Sequence, residues 1–112
     1  MIIEQLGIEA PQGQKLKLGS DLASLVGPTQ VEPGCLGCRL FQNWQEPDEL
    51  VVEAYWATEE DLVRHLQSAT YKQLLLLMEL SRTPPSIRFV KGEDLGGLEF
   101  VEKARDLDAV KK

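Results

Sequence analysis

The chain has one histidine, two cysteines and few aromatics, which make up 6% of its 112 residues. That scarcity argues against a zinc site. Cys35 and Cys38 would give two ligands, and the chain offers only His65 beyond them, with no other cysteine. Long hydrophobic runs are also missing. The longest, Leu74 to Met78, falls far short of a membrane span. Basic residues are in deficit: 12 Lys and Arg face 18 Asp and Glu, for a net charge of −6. The only local basic pair, Lys111-Lys112, lies at the terminus, so a nucleic-acid backbone is a poor partner. Met1-Ile2-Ile3 runs at once into Glu4 and Gln5, too short and too acidic for a signal peptide, and a cytoplasmic location is the expectation. Repeats and low-complexity segments are absent.

What is present reads as one domain over 1–112, with a core over about 2–91 and a helical tail over about 96–105. The composition, 43% hydrophobic and 27% charged, is that of a globular protein. A chain this short buries a modest share of its apolar surface, and pairing with a second copy would remedy that.

Ile2 to Ile8 alternates and predicts a first strand. Leu16, Leu18, Leu22, Leu25 and Val26 recur at helical spacing, which predicts a helix from Gln14 to Val26, ended or kinked by Gly27-Pro28. Gly34 to Trp44 reads as a second strand. Its alternation sets Leu36, Cys38, Leu40 and Gln42 on one face, and Cys35, Gly37, Arg39, Phe41 and Asn43 on the other. On that reading Cys35 and Cys38 lie on opposite faces, ~10 Å apart, too far for a disulfide. They are expected to be small buried residues.

The turn Gln45-Glu46-Pro47-Asp48 leads into a third strand, Leu50 to Ala57, making a hairpin. Thr58 is placed to cap a helix reaching about Gln67, with Glu59, Glu60 and Asp61 at its positive end. Ser68 or Thr70 caps the next helix, which carries Leu74, Leu75, Leu77, Met78 and Leu80 until Thr83-Pro84-Pro85 stops it. Ser86 to Lys91 is a last strand, and Leu98, Val101 and Ala104 or Arg105 mark a short helix after Gly96-Gly97. The order β-α-β-β-α-β predicts an α+β, ferredoxin-like antiparallel sheet with helices on one face. The other face would carry Arg39, Phe41, Val51 or Val52, and Tyr55, too apolar to leave in water.

Three motifs lie in order along the middle of the chain: Pro33-Gly34-Cys35 entering a strand, Glu53-Ala54-Tyr55-Trp56 ending one, and His65-Leu66-Gln67-Ser68 on a helix. Together they resemble the antibiotic biosynthesis monooxygenase family. The likeness covers about Pro11 to Arg105, including the tail Gly97 to Arg105. The resemblance implies a homodimeric α+β barrel in which two sheets pack face to face. It also implies oxidation of an electron-rich aromatic, such as an anthrone or hydroquinone, by dioxygen with no metal or flavin. The chain departs from the family where a second histidine is common: Thr70 stands there. The family's haem-degrading branch uses a first-strand Asn, and here Gln5 is the nearest substitute, which argues against haem.

Such chemistry calls for a base, aromatic walls and exclusion of water. His65 is the candidate base, since its reference pKa suits proton transfer near neutrality. With Leu62, Val63 and Leu66 defining the apolar face, it lies ~100° from the centre of that face. That places it at a pocket rim, or at a helix edge with one ring nitrogen bonded to backbone. Trp56 matches the family's strand-end Trp, either a pocket wall with its N–H on a ligand oxygen or a core residue bonded to a backbone carbonyl. Asn43 would orient a phenolic oxygen or serve the adjoining turn. Tyr71 and Tyr55 are pocket aromatics or packing groups. Arg39 would meet an anionic ligand or pair with Glu53 on the neighbouring strand. The alternatives to an oxygenase are a non-catalytic dimer that holds a small ligand or none, and a different enzyme, such as an isomerase, on the same scaffold.

Overall fold

The computed structural model describes residues 1–111, and side chains as far as Asp106. The elements follow as β1 (Ile2–Glu9), α1 (Lys15–Gln30), β2 (Cys35–Gln42), β3 (Glu49–Trp56), α2 (Glu59–Leu66), α3 (Ala69–Met78), β4 (Ser86–Lys91) and α4 (Leu98–Lys111). The strands form one antiparallel sheet in the order β2-β3-β1-β4, the ferredoxin-like α+β arrangement.

Alternation sets the two faces. On β1, Ile2, Glu4, Leu6 and Ile8 turn inward, and on β3, Leu50, Val52, Ala54 and Trp56 do so. Leu18 and Leu22 from α1, Leu62 from α2, and Tyr71, Leu74 and Met78 from α3 close over them to form the core. The opposite face carries Ile3, Gln5, Val51, Glu53 and Tyr55, all half-buried, beside an exposed Phe41.

Four details depart from the sequence reading. First, α1 runs through Gly27-Pro28 to Gln30. Proline removes one backbone hydrogen bond, but the following turn is tied down twice. Thr29 Oγ1 donates to the Leu25 carbonyl at 2.8 Å and Gln30 Nε2 donates to the Cys38 carbonyl at 3.0 Å. Second, β2 has a bulge between Cys35 and Gly37. Cys35 lies opposite Trp56 and Cys38 opposite Ala54, both inward-facing residues of β3. The two cysteines therefore share the core face, and Leu36 is the extra residue, exposed. Third, β2 ends at Gln42, leaving Asn43 and Trp44 in the hairpin loop, with Trp44 exposed. Fourth, α4 extends further than the short helix expected, and among its described side chains Leu98, Phe100 and Val101 are exposed.

The helix start at Thr58 is as read: its hydroxyl accepts from the Asp61 backbone N–H at 3.1 Å. Ser68, rather than Thr70, caps α3, accepting from the Tyr71 N–H at 3.1 Å.

Candidate functional site

The inward register of β1 puts Glu4 among aliphatic side chains, where it is 2% exposed. A buried carboxylate needs donors, because an unpaired charge away from water is costly. Glu4 has two. The Trp56 indole N–H donates to its Oε1 at 3.0 Å, and His65 Nε2 lies 3.5 Å from the same oxygen. At that length the second contact is too long for a short hydrogen bond, and it is an ion pair when the imidazole is protonated. The other ring nitrogen, Nδ1, lies 2.9 Å from Glu32 Oε2. Glu32 stands between α1 and β2, and its side chain keeps 18% of its exposure.

His65 is buried at the centre of the inner face of α2, not at its edge. Val63, apolar though it is, points to solvent. The imidazole stacks on the Trp56 ring at 4.5 Å between centroids, and Tyr71 meets it edge-on at 5.2 Å. Burial pushes the His65 pKa down, but the bonds and charges of Glu4 and then Glu32 outweigh it, so the net shift is upward from 6.5. Burial, and then the charge of Glu4, raise the Tyr71 phenol. Burial pushes the Cys38 thiol up to about 12.

Beside this cluster lies a cavity of about 10 Å³ between sheet and helices, enough for roughly one water. Glu4, His65, Thr29 and Thr70 give it polar lining, while Leu22, Leu25, Val26 and Leu74 form part of its apolar wall. Among the described residues no three His, Cys, Asp or Glu side chains converge as a metal cage. Both nitrogens of His65 face carboxylates, so neither lone pair is open to an iron ion. Gln5 points to the other face of the sheet, donating to Glu53 Oε2 at 2.8 Å.

The structure thus brings His65, Trp56 and Tyr71 together, and places the other three candidates elsewhere. Asn43 sits at the hairpin. Its Nδ2 donates to Glu49 Oε1 at 2.8 Å, and its Oδ1 accepts from the Gln45 N–H at 2.9 Å, which is the turn role. Tyr55 lies on the outer face and donates to Glu53. Arg39 is opposite Glu53 in the ladder, yet no ion pair forms between them. The partners of His65 and Trp56 are carboxylates, not the backbone groups of their packing alternatives.

Glu4 and Glu32 were missed. A signal for Glu4 was present: it alone breaks the inward series Ile2, Leu6, Ile8 with a charge. Glu32 had none, since only the tertiary fold brings the turn between α1 and β2 to His65, 33 positions away.

Several solved structures share this fold. A Deinococcus radiodurans protein named as an antibiotic biosynthesis monooxygenase superposes with a TM-score of 0.77 at 18% identity, covering 87% of this chain and 97% of that one. Rv0793 from Mycobacterium tuberculosis gives 0.76 at 20% identity, over 86% and 98%. A Nitrosomonas europaea protein of the same name as the first gives 0.76 at 15% identity, over 84% and 100%. No protein of curated function matches the sequence. The family model for antibiotic biosynthesis monooxygenase matches residues 1–75, the span from β1 into α3 that supplies Glu4, Glu32, Trp56, His65 and Tyr71, and the chain belongs to that family.

Proposed function

We propose that this protein is a monooxygenase that oxidises an electron-rich aromatic, a quinol or polycyclic phenol, with dioxygen and without a metal or organic cofactor. The observation that carries the reading is the buried Glu4–His65 pair lining a cavity between sheet and helices. The pair offers proton handling and exclusion of water in one place, while Trp56 and Tyr71 back the imidazole and do not line the cavity. Removing the phenolic proton makes the ring electron-rich enough to reduce dioxygen. With an anthrone-type substrate, the ring CH2 group becomes a carbonyl. One oxygen atom enters the product and the other leaves in water with the two hydrogens.

The cavity admits a ring only if Leu22, Leu25 and Val26 of α1 give way, so substrate entry requires α1 to shift. We further propose that the active form is an isologous homodimer, its outer sheet faces packed together over Phe41, Val51 and Tyr55.

Oxygen uptake by metal-stripped protein, across a panel of hydroquinones and anthrones, tests the reading. Uptake should require the protein and fall at least tenfold in His65→Ala and in Trp56→Phe, roughly the loss of one catalytic contact. Absence of uptake across the panel would favour a dimer that binds a small apolar ligand without turning it over.

A further inference from the structure

We propose that Glu4 is the group that takes the proton from a hydroxyl bound in the cavity, and that His65 is a positioning imidazolium clamped between Glu4 and Glu32. This rests on the proposed oxidation of a phenol and names the base for it.

The geometry around the imidazole carries the assignment. A carboxylate can only accept hydrogen bonds, and a bare ring nitrogen can only accept as well. Nδ1 faces Glu32 Oε2 at 2.9 Å, and Nε2 faces Glu4 Oε1 at 3.5 Å. With both acids ionised, each nitrogen carries a proton, since otherwise it would set a lone pair against a carboxylate oxygen. An imidazole protonated on both sides has no lone pair with which to accept a substrate proton.

Glu4 does. The described contacts of its carboxylate both fall on Oε1, from Trp56 and His65, which leaves Oε2 to a cavity occupant. In the step itself the substrate O–H bond breaks and an O–H bond forms at Glu4. The phenolate left behind faces an imidazolium, which balances its charge. Glu32 keeps that charge in place from the far side. It does not line the cavity and reaches solvent, so its part is to hold the ring protonated and oriented. The groups facing the imidazole are Glu4 from β1, Glu32 ahead of β2, Trp56 from β3 and Tyr71 from α3. Neutral Cys35 and Cys38 of β2 lie nearby. Two acids surround one base, and among the described residues no second cation pairs with either acid.

Nitrogen-15 NMR of the single histidine in the intact wild-type protein at neutral pH tests the clamp without a substrate. Two protonated ring nitrogens are expected, and a bare Nδ1 or Nε2 would overturn the assignment. The base is tested with whichever aromatic supports uptake. Glu4→Gln should lower kcat about 100-fold with KM little changed, and Glu4→Asp should restore part of it. Glu32→Gln should keep the larger share of kcat at low pH while moving the alkaline limb of the pH profile downward. Near-normal kcat in Glu4→Gln would overturn the proposal.

If the wild type consumes no oxygen with any compound, the oxygenase reading fails by itself. The base is then read from 4-nitrophenol bound under nitrogen. Its yellow phenolate band in wild type and its loss in Glu4→Gln support the assignment. Equal ionisation in both proteins, or no binding, would overturn it.

Discussion

Glu4 occupies a strand position that alternation reserves for an apolar side chain, and its partners follow from that placement. Removing one partner of a buried charge leaves the other uncompensated, a loss of about 3–5 kcal/mol. Glu4→Ala is therefore expected to unfold at markedly lower urea than wild type, while Glu4→Gln, which keeps an acceptor for Trp56, loses less. The raised pKa of His65 has a definite sign. The folded state binds its proton more tightly than the unfolded chain. The contribution is thus fully present below about 6.5, the unfolded value, and is lost as pH rises through the folded one. Urea midpoints should fall with rising pH over that window in wild type and stay flatter in His65→Gln. A slope in the opposite direction would contradict the clamp. Cys38, buried and held protonated up to about 12, should resist thiol reagents until the protein unfolds, while half-buried Cys35 reacts sooner. At this scale the sequence was half legible. Alternation set Arg39 and Tyr55 on the outer face, where they lie. The helix wheel put His65 at an edge because Val63 counts as apolar, yet Val63 is exposed and His65 buried. Asn43 and Tyr71 stood between two roles that only tertiary contacts decide.

Secondary elements were legible where their signals are local. Thr58 and its acidic first turn needed nothing beyond the helix they start, and Thr58→Ala should cost about 1 kcal/mol in urea unfolding. Gly34 is a sharper case. Its φ is +79°, and a Cβ there would come within 2.1 Å of Asp61 Cγ. Gly34→Ala should cost more than the cap, with about 1–2 kcal/mol from the left-handed backbone alone. Adding Asp61→Ala should recover only the steric part. A Gly34→Ala midpoint equal to wild type would show that the turn relaxes freely. Elements were illegible where a distant contact decides. Gly27-Pro28 reads as a stop in any local window, and α1 continues because Thr29 and Gln30 find bonds there. The bulge in β2 is likewise invisible to alternation, which assumes one residue per step.

The molecule is long for its size, 55 × 34 × 21 Å, and α4 leaves its described apolar side chains exposed. An exposed α4 stripe of Leu98, Phe100 and Val101, with an apolar outer sheet face, is more apolar surface than a lone small domain usually leaves in water. The proposed dimer accounts for the sheet face. Val51→Lys, at the middle of that face, should shift sedimentation to the monomer at micromolar concentration and lower the melting temperature. A wild type that is monomeric and stable under the same conditions would remove the dimer.

The bulge at Leu36 acts as a phase shift between two stretches of the chain. Upstream lies the turn bearing Glu32, and downstream the ladder that seats Cys38 against Ala54. Deleting Leu36 would make the ladder regular, with Cys35 still opposite Trp56 and Gly37 still opposite Tyr55. Both cysteines would keep the core face, and the turn bearing Glu32 would stay beside His65. The strand would lose only the local twist that an unpaired residue adds, so the imidazole is expected to keep both anchors in a chain one residue shorter.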